Sequence, residues 1–178
     1  MTEHPPHPSA PAATPTETAL PIRVRGATEA DLEPLVALML RLKRLNEEFD
    51  PMLEVRPDAE ARTREILRSE LGNPRALLLA VEATGEEAGK VVGVVRATVR
   101  ERPFYTPESE GVIQDIYLLP LYRRRRVGEY LLEEVARHLK ERGAGILTAE
   151  FPTQNEIASR FYGKRGFRPV TALYARRL

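Results

Sequence analysis

The chain contains no cysteine and no tryptophan, and its three histidines are His4, His7 and His138. The missing thiols exclude disulfides, thiolate metal sites and a cysteine nucleophile together. Two of the three histidines fall in the first seven residues, so a histidine-built metal site or a Ser-His-Asp triad has almost no material. No metal is expected. No stretch is apolar for long enough to span a membrane, and the start lacks the cationic-then-apolar order of a secretory signal. A strong charge of one sign is absent too. The formal net charge is +1, which gives no bulk support to nucleic-acid binding. There is no internal repeat. These absences fit a cytoplasmic protein that does not engage membranes.

What remains is an ordinary globular composition, 42% hydrophobic and 30% charged over 178 residues, enough for one domain with a real core. Residues 1–20 are rich in Pro, Ala and Thr, have no amphipathic face and read as a disordered tail. The domain is expected over 21–178. Pro21 to Arg25 alternates apolar and basic residues as a strand does. Thr28 is a good N-cap, and Leu32, Leu35, Val36, Leu38, Met39, Leu42 and Leu45 recur at helical spacing up to about Asn46. A second helix is expected from Pro57-Asp58 to Leu71, with Gly72 as its stop. Ala76 to Ala83 and Lys90 to Glu101 read as a hairpin. Gly111 to Leu119 is a strand, Val127 to Arg142 a helix, Ala144 to Phe151 a strand, Asn155 to Arg165 a helix and Thr171 to Arg177 a last strand. The order β-α-α-β-β-β-α-β-α-β predicts an α/β class: a mixed central sheet of about six strands, part antiparallel meander and part βαβ crossover, flanked by helices.

The segment with most chemistry is Tyr122-Arg123-Arg124-Arg125-Arg126-Val127-Gly128. It stands between a predicted strand and a predicted helix. Free N–H groups and the positive dipole end at such a junction suit an anion, and arginine adds charge-assisted contacts. Read alone, four arginines are first of all a solvated charged rim, and second a nucleic-acid patch. Asn155-Glu156-Ile157-Ala158-Ser159-Arg160-Phe161-Tyr162 followed by Gly166-Phe167 is the second marked segment. Asn155 reads as an N-cap and Gly166 as the residue after the helix, while Ala158, Phe161 and Tyr162 share a face that packing could explain.

Together the two segments resemble motifs A and B of the GNAT N-acetyltransferase superfamily, whose acyl-CoA N-acyltransferase fold the chain would share over about 21–178. Motif A is Arg/Gln-x-x-Gly-x-Gly/Ala after a strand. Arg123 takes its first position and Gly128 its last, while Arg126 stands where the first Gly is usual. The resemblance implies acetyl-CoA as co-substrate, held by Leu118, Arg123, Arg124, Arg125, Arg126, Val127, Gly128, Glu129, Asn155 and Tyr162, with the pantetheine arm between two splayed strands. It further implies that a backbone N–H near Leu118 polarises the thioester carbonyl and that Tyr162 protonates the departing thiolate.

Amine acetylation also needs a base. Asp115 and Glu150 are the candidates on central strands, or an ordered water; Gln114 sits where polyamine-type relatives carry a carboxylate and cannot serve. The acceptor is expected between the loops around Asn46–Leu53 and Arg102–Glu110. Phe49 would line it, with Glu47, Glu48 and Asp50 attracting a cationic amine. Phe104 and Tyr105 would pack on its apolar part, and Gln114 and Glu150 would complete the site. The family usually places two strands after the last helix; here there is room for one, which bears on the acceptor side or on a homodimer contact. The expected activity is acetyl transfer to a primary amine of a small molecule or peptide by direct attack. The rival readings are a module of the same fold that binds acetyl-CoA as a regulatory ligand, and a nucleic-acid binder using the arginine run.

Overall fold

The computed structural model describes residues 21–178 apart from Arg124 and the side chain of Arg125. The expected disordered tail, residues 1–20, lies outside the described residues.

Strand β1 (Ile22–Gly26) leads through a single 3-10 turn into helix α1 (Leu32–Glu47). Thr28 opens that turn as expected: its N–H and its hydroxyl both donate to Asp31 Oδ2 at 2.8 Å. Helix α2 (Ala59–Glu70) follows, and Gly72, at φ 73°, supplies the left-handed stop. Strands β2 (Ala76–Ala83), β3 (Val91–Glu101) and β4 (Ser109–Leu118) form an antiparallel meander. Helix α3 (Arg125–Glu141) crosses over to β5 (Ile146–Ala149), which pairs parallel to β4, and α4 (Glu156–Gly163) comes last. The sheet order is β1-β2-β3-β4-β5.

The mixed α/β sheet is the expected one, with one correction. The segment Thr171–Arg177 forms no strand, so the described residues hold five strands. A strand exists only where a neighbour takes its hydrogen bonds. Here Leu173 and Tyr174 are more than nine-tenths exposed, and Arg177 reaches instead to the Pro51 carbonyl at 3.2 Å and Glu54 at 3.4 Å.

Alternation in β2 divides the core. Leu77, Leu79, Val81 and Ala83 face α3 and α4, packing with Val127, Leu131, Val135, Leu139 and Tyr162. Leu78 and Ala80 face α1 and α2, packing with Leu35, Val36, Met39 and Leu67. Each helix buries one stripe, as its apolar periodicity requires.

Candidate active site

Strands β4 and β5 stay paired for only four positions, from Glu110–Ile146 to Ile113–Ala149, with a last bond from the Glu150 N–H to the Ile113 carbonyl at 2.9 Å. Beyond that point β4 runs on to Leu118 while the other chain turns away at Phe151-Pro152. The parting begins where β4 carries a bulge. Against β3, Ala97 pairs with Ile113 and Arg96 with Asp115, so Gln114 is the extra residue. A bulge bends its strand and breaks the ladder locally, which is why the gap opens there.

The unpaired end of β4 presents backbone groups to this gap. The Leu119 N–H donates to the Val92 carbonyl at 2.8 Å, so Leu119 faces β3. By alternation the N–H and carbonyl of Leu118 point the other way, into the space β5 has left. A ligand carbonyl in the gap would find the Leu118 N–H as a donor.

Arg123 and the start of α3 stand at the mouth. Arg123 closes a 3-10 turn after β4, and its Nε donates to the Leu118 carbonyl at 2.7 Å. Its guanidinium also lies over the Tyr117 ring, 5.0 Å from the centroid. Tyr122 is buried and donates its hydroxyl to Glu87, which fastens the turn to the β2–β3 connection. Helix α3 starts at Arg125, two residues earlier than expected, which places Arg125 and Arg126 in a first turn whose own sequence contains no acid. Cations there oppose the helix dipole, a cost that a bound anion relieves. Arg124 lies outside the described residues. Val127 is buried in the α3 core, and Glu129 takes Arg165 at 3.1 Å.

Gly128 has a specific reason to be glycine. A Cβ there would come within 2.9 Å of the Phe161 ring. Close packing of α4 on α3 is thus a sufficient reason for glycine here, beside the ligand contact that the resemblance implies. Arg165 lies over that ring, 3.9 Å from its centroid, and donates to the Phe161 carbonyl at 2.8 Å. The two sequence motifs are therefore clamped to each other.

Tyr162 sits at the centre of an aromatic group, stacked on Phe151 at 5.4 Å, edge-on to Phe161 at 5.2 Å and 5.0 Å from Phe167. It is 5% exposed. Burial pushes its phenol well above the ordinary tyrosine value, so it remains a proton donor across the physiological range. Phe151 follows the last residue of β5 by two positions, so this group forms the β5 side of the gap. Asn155 caps α4, its Oδ1 accepting from the Ala158 N–H at 3.0 Å.

The candidate bases fare differently. Asp115 is 4% exposed and takes the Lys43 ammonium on one oxygen and Arg96 at 2.8 Å on the other. Arg96 in turn holds Glu70 at 2.7 Å, and burial pushes the Glu70 carboxyl up against the pull of Arg96. Asp115 is thus the centre of a four-membered charge network between the sheet and α1/α2. Neither Lys43 nor Arg96 was marked in the sequence. Their one signal was a lone cation on the apolar face of a helix and of a strand. Glu150 is exposed, 3.5 Å from Arg100, at the vertex of the gap. Gln114, half-buried, is the bulge residue itself.

On the acceptor side, Asp50 accepts from the Met52 N–H at 2.8 Å and Glu47 from the Val55 N–H at 3.2 Å, so both carboxylates shape the connection after α1. Phe49 is half-buried beside them. Tyr105 is 67% exposed and lies under Arg102 in the β3–β4 connection, near the start of β4. Five residues of strand, about 17 Å, separate Ser109 from Gln114. Asn46 Oδ1, at the end of α1, and Arg165 Nε are buried without a hydrogen-bond partner among the described residues.

Among the described residues no group of three or more His, Asp or Glu could hold a metal ion, and no helix is long and apolar enough to cross a membrane. No curated protein matches the sequence closely enough to count as a relative. Solved structures do resemble the fold. A transcriptional regulator from Bacillus halodurans superposes with a TM-score of 0.68 at 22% identity, covering 88% of this chain and 99% of its own. An aminoglycoside antibiotic 6'-N-acetyltransferase from Acinetobacter haemolyticus gives 0.65 at 18%, covering 88% and 99%. A "predicted acetyltransferase with acetyl-CoA" from Clostridium acetobutylicum gives 0.69 at 17%, covering 88% and 96%. At these identities the likeness concerns fold alone. The sequence itself matches the family model "Acetyltransferase (GNAT) family" over residues 41–167, from within α1 through both the arginine turn and the Asn155–Phe167 segment. With the parted strands, the arginine turn and the clamped motifs in place, this chain belongs to the GNAT acetyltransferase family.

Proposed function

We propose that the protein moves an acetyl group from acetyl-CoA to a primary amine of a small molecule or peptide, by direct attack within a ternary complex. The observation that carries this reading is the gap opened by β4 and β5 beyond Ile113, with the first turn of α3 at its mouth. Acetyl-CoA supplies the acetyl group as a reactive thioester. The chain's own residues then have distinct tasks. The first turn of α3 receives the pyrophosphate with its N–H groups and arginines. The Leu118 N–H donates to the carbonyl, where negative charge grows during attack. Tyr162, kept protonated by burial, donates to the departing sulfur. Asn155 holds the start of α4 on the far side of the gap. No cysteine exists to carry the acetyl group, so transfer is direct.

The amine must lose a proton. Asp115 is committed to Lys43 and Arg96, so Glu150 or a water bound near Gln114 takes it in this reading. The same engagement of Asp115 favours a second reading, a module that binds acetyl-CoA without turning it over. A nucleic-acid role is disfavoured by the net charge of +1 and by Arg123, whose side chain serves Leu118 and Tyr117.

The deciding experiment measures thiol release from acetyl-CoA over amines, amino acids, polyamines and peptide N-termini, alongside calorimetry with acetyl-CoA. Saturable binding with amine-dependent thiol release is expected. Binding with no release on any amine would move the protein to the second reading; absence of binding would sink both.

A further inference from the structure

We infer that Arg123, though it opens the arginine run, is a positioning residue for the Leu118 N–H and not a phosphate ligand. This rests on the acetyl-transfer reading and concerns the same site. A strand inside a sheet has both edges of its backbone held by neighbours. At Leu118 only the β3 edge is held, through the Leu119 N–H and the Val92 carbonyl. On that side the fit is close: a Cβ on Gly93 would lie 2.8 Å from the Tyr117 carbonyl oxygen and 2.9 Å from Leu118 Cδ1. On the other side β5 has left, and the ladder offers the Leu118 carbonyl nothing. Arg123 supplies the missing bond at 2.7 Å.

The same guanidinium stacks on the Tyr117 ring, so it touches both flanks of the Leu118 N–H: the side chain before it and the carbonyl after it. The turn that carries Arg123 is itself short and bonded, the Tyr122 N–H to the Leu119 carbonyl at 2.9 Å and the Arg123 N–H to the Pro120 carbonyl at 3.1 Å. The 123 side chain is thereby folded back on the strand it follows. Without it, the last peptides of β4 would be free to rotate, and the donor in the gap would lose its aim. The anion is left to the first turn of α3.

The test compares wild type with Arg123→Ala, Arg123→Lys and Tyr117→Leu. Two quantities are read: turnover of acetyl-CoA, and affinity for S-ethyl-CoA, a thioether that carries every phosphate but no acyl carbonyl. Positioning predicts that Arg123→Ala lowers kcat about 10- to 100-fold, as a slightly misplaced catalytic group does, while S-ethyl-CoA affinity stays within about threefold. Arg123→Lys should fail to rescue, because an ammonium keeps the charge but not the planar fork that bonds a carbonyl and stacks on a ring together. Tyr117→Leu should lower kcat less, again with S-ethyl-CoA affinity kept; it carries the test should Arg123→Ala not fold.

A tenfold or greater loss of S-ethyl-CoA affinity in Arg123→Ala, restored by Arg123→Lys, would overturn the inference in favour of a phosphate contact. So would an unchanged kcat. A wild-type protein that binds S-ethyl-CoA but never releases thiol removes the acetyl-transfer reading instead. The affinity arm still decides whether Arg123 grips phosphate.

Discussion

On the α1/α2 face of the sheet, charges are matched inside the molecule: Arg25 with Asp31 and Glu82, and Lys43 and Arg96 with Asp115 and Glu70. On the α3/α4 face the core is larger and apolar; of its two buried tyrosines, Tyr122 is engaged by Glu87 and Tyr162 lies among Phe151, Phe161 and Phe167. Strand β4 belongs to both. Asp115 faces the first set, and Leu118 sits in the second. The contrast teaches why two residues three positions apart on one strand have unrelated work. A carboxylate saturated by two cations is held as structure, because freeing it would strand Lys43 and Arg96. An unpaired N–H at a parted edge and a protonated phenol are groups that still have something to give.

The sharpest way to break this comparison is Asp115→Asn. Removing the negative centre leaves two cations against Glu70 alone, and loss of one partner from a buried pair costs about 3–5 kcal/mol. The unfolding free energy from urea titration should fall by that amount, and the midpoint with it. Were Asp115 the base, the midpoint would hold and kcat would drop with a moved acid limb in its pH profile. On the other face, Tyr162→Phe keeps the ring and its stacking but removes the donated proton. It should lower kcat by about 100-fold with stability and CoA affinity nearly unchanged, the size typical of one general acid. Equal losses in kcat and affinity would instead make the phenol a binding group.

Gly128→Ala probes the clamp between the motifs. The added methyl meets the Phe161 ring at 2.9 Å, and overpacking of this kind costs about 1–3 kcal/mol. Lower thermal stability with acetyl-CoA affinity nearly unchanged is expected; lost affinity with stability intact would return Gly128 to a ligand-approach role.

The smallest effect concerns Arg25 and Asp31. Hydrogen bonds from the Arg25 guanidinium hold the Asp31 carboxyl down at about 2, against an ordinary value of 3.8. A depressed carboxyl contributes stability that is complete above its unfolded value and lost as pH falls from about 4 to about 2. Linkage makes that about 1–2 kcal/mol. Asp31→Asn should lower stability at neutral pH by that amount and flatten the acid limb between pH 4 and 2. An unchanged acid limb would show that the pair carries no linked stability.

Much of the fold was legible in the residues because it follows from period and punctuation. The Thr28 start, the α1 stripe, the Gly72 stop, the β2–β3 hairpin and the Asn155 cap are all local, and each appears in the structure within a residue or two. The last strand was misjudged because alternation states only that a segment can be a strand; residues 171–177 have no neighbour to bond. Asp115 was visible as an acid on a central strand, but Lys43 lies 72 residues away and Arg96 on another strand, so nothing local foretold the network.

By itself the sequence determined the family: two motifs, one strand-to-helix turn rich in arginine, and no thiol for covalent chemistry. Motif positions are local features, and a chain carries them wherever it folds. Only the tertiary structure decided what each motif residue touches. Arg123 turned back to Leu118, Gly128 made room for Phe161, Asp115 was consumed by two cations, and the gap opened at Gln114. Those outcomes depend on which distant segments arrive alongside, a matter of packing and register that no window of sequence contains.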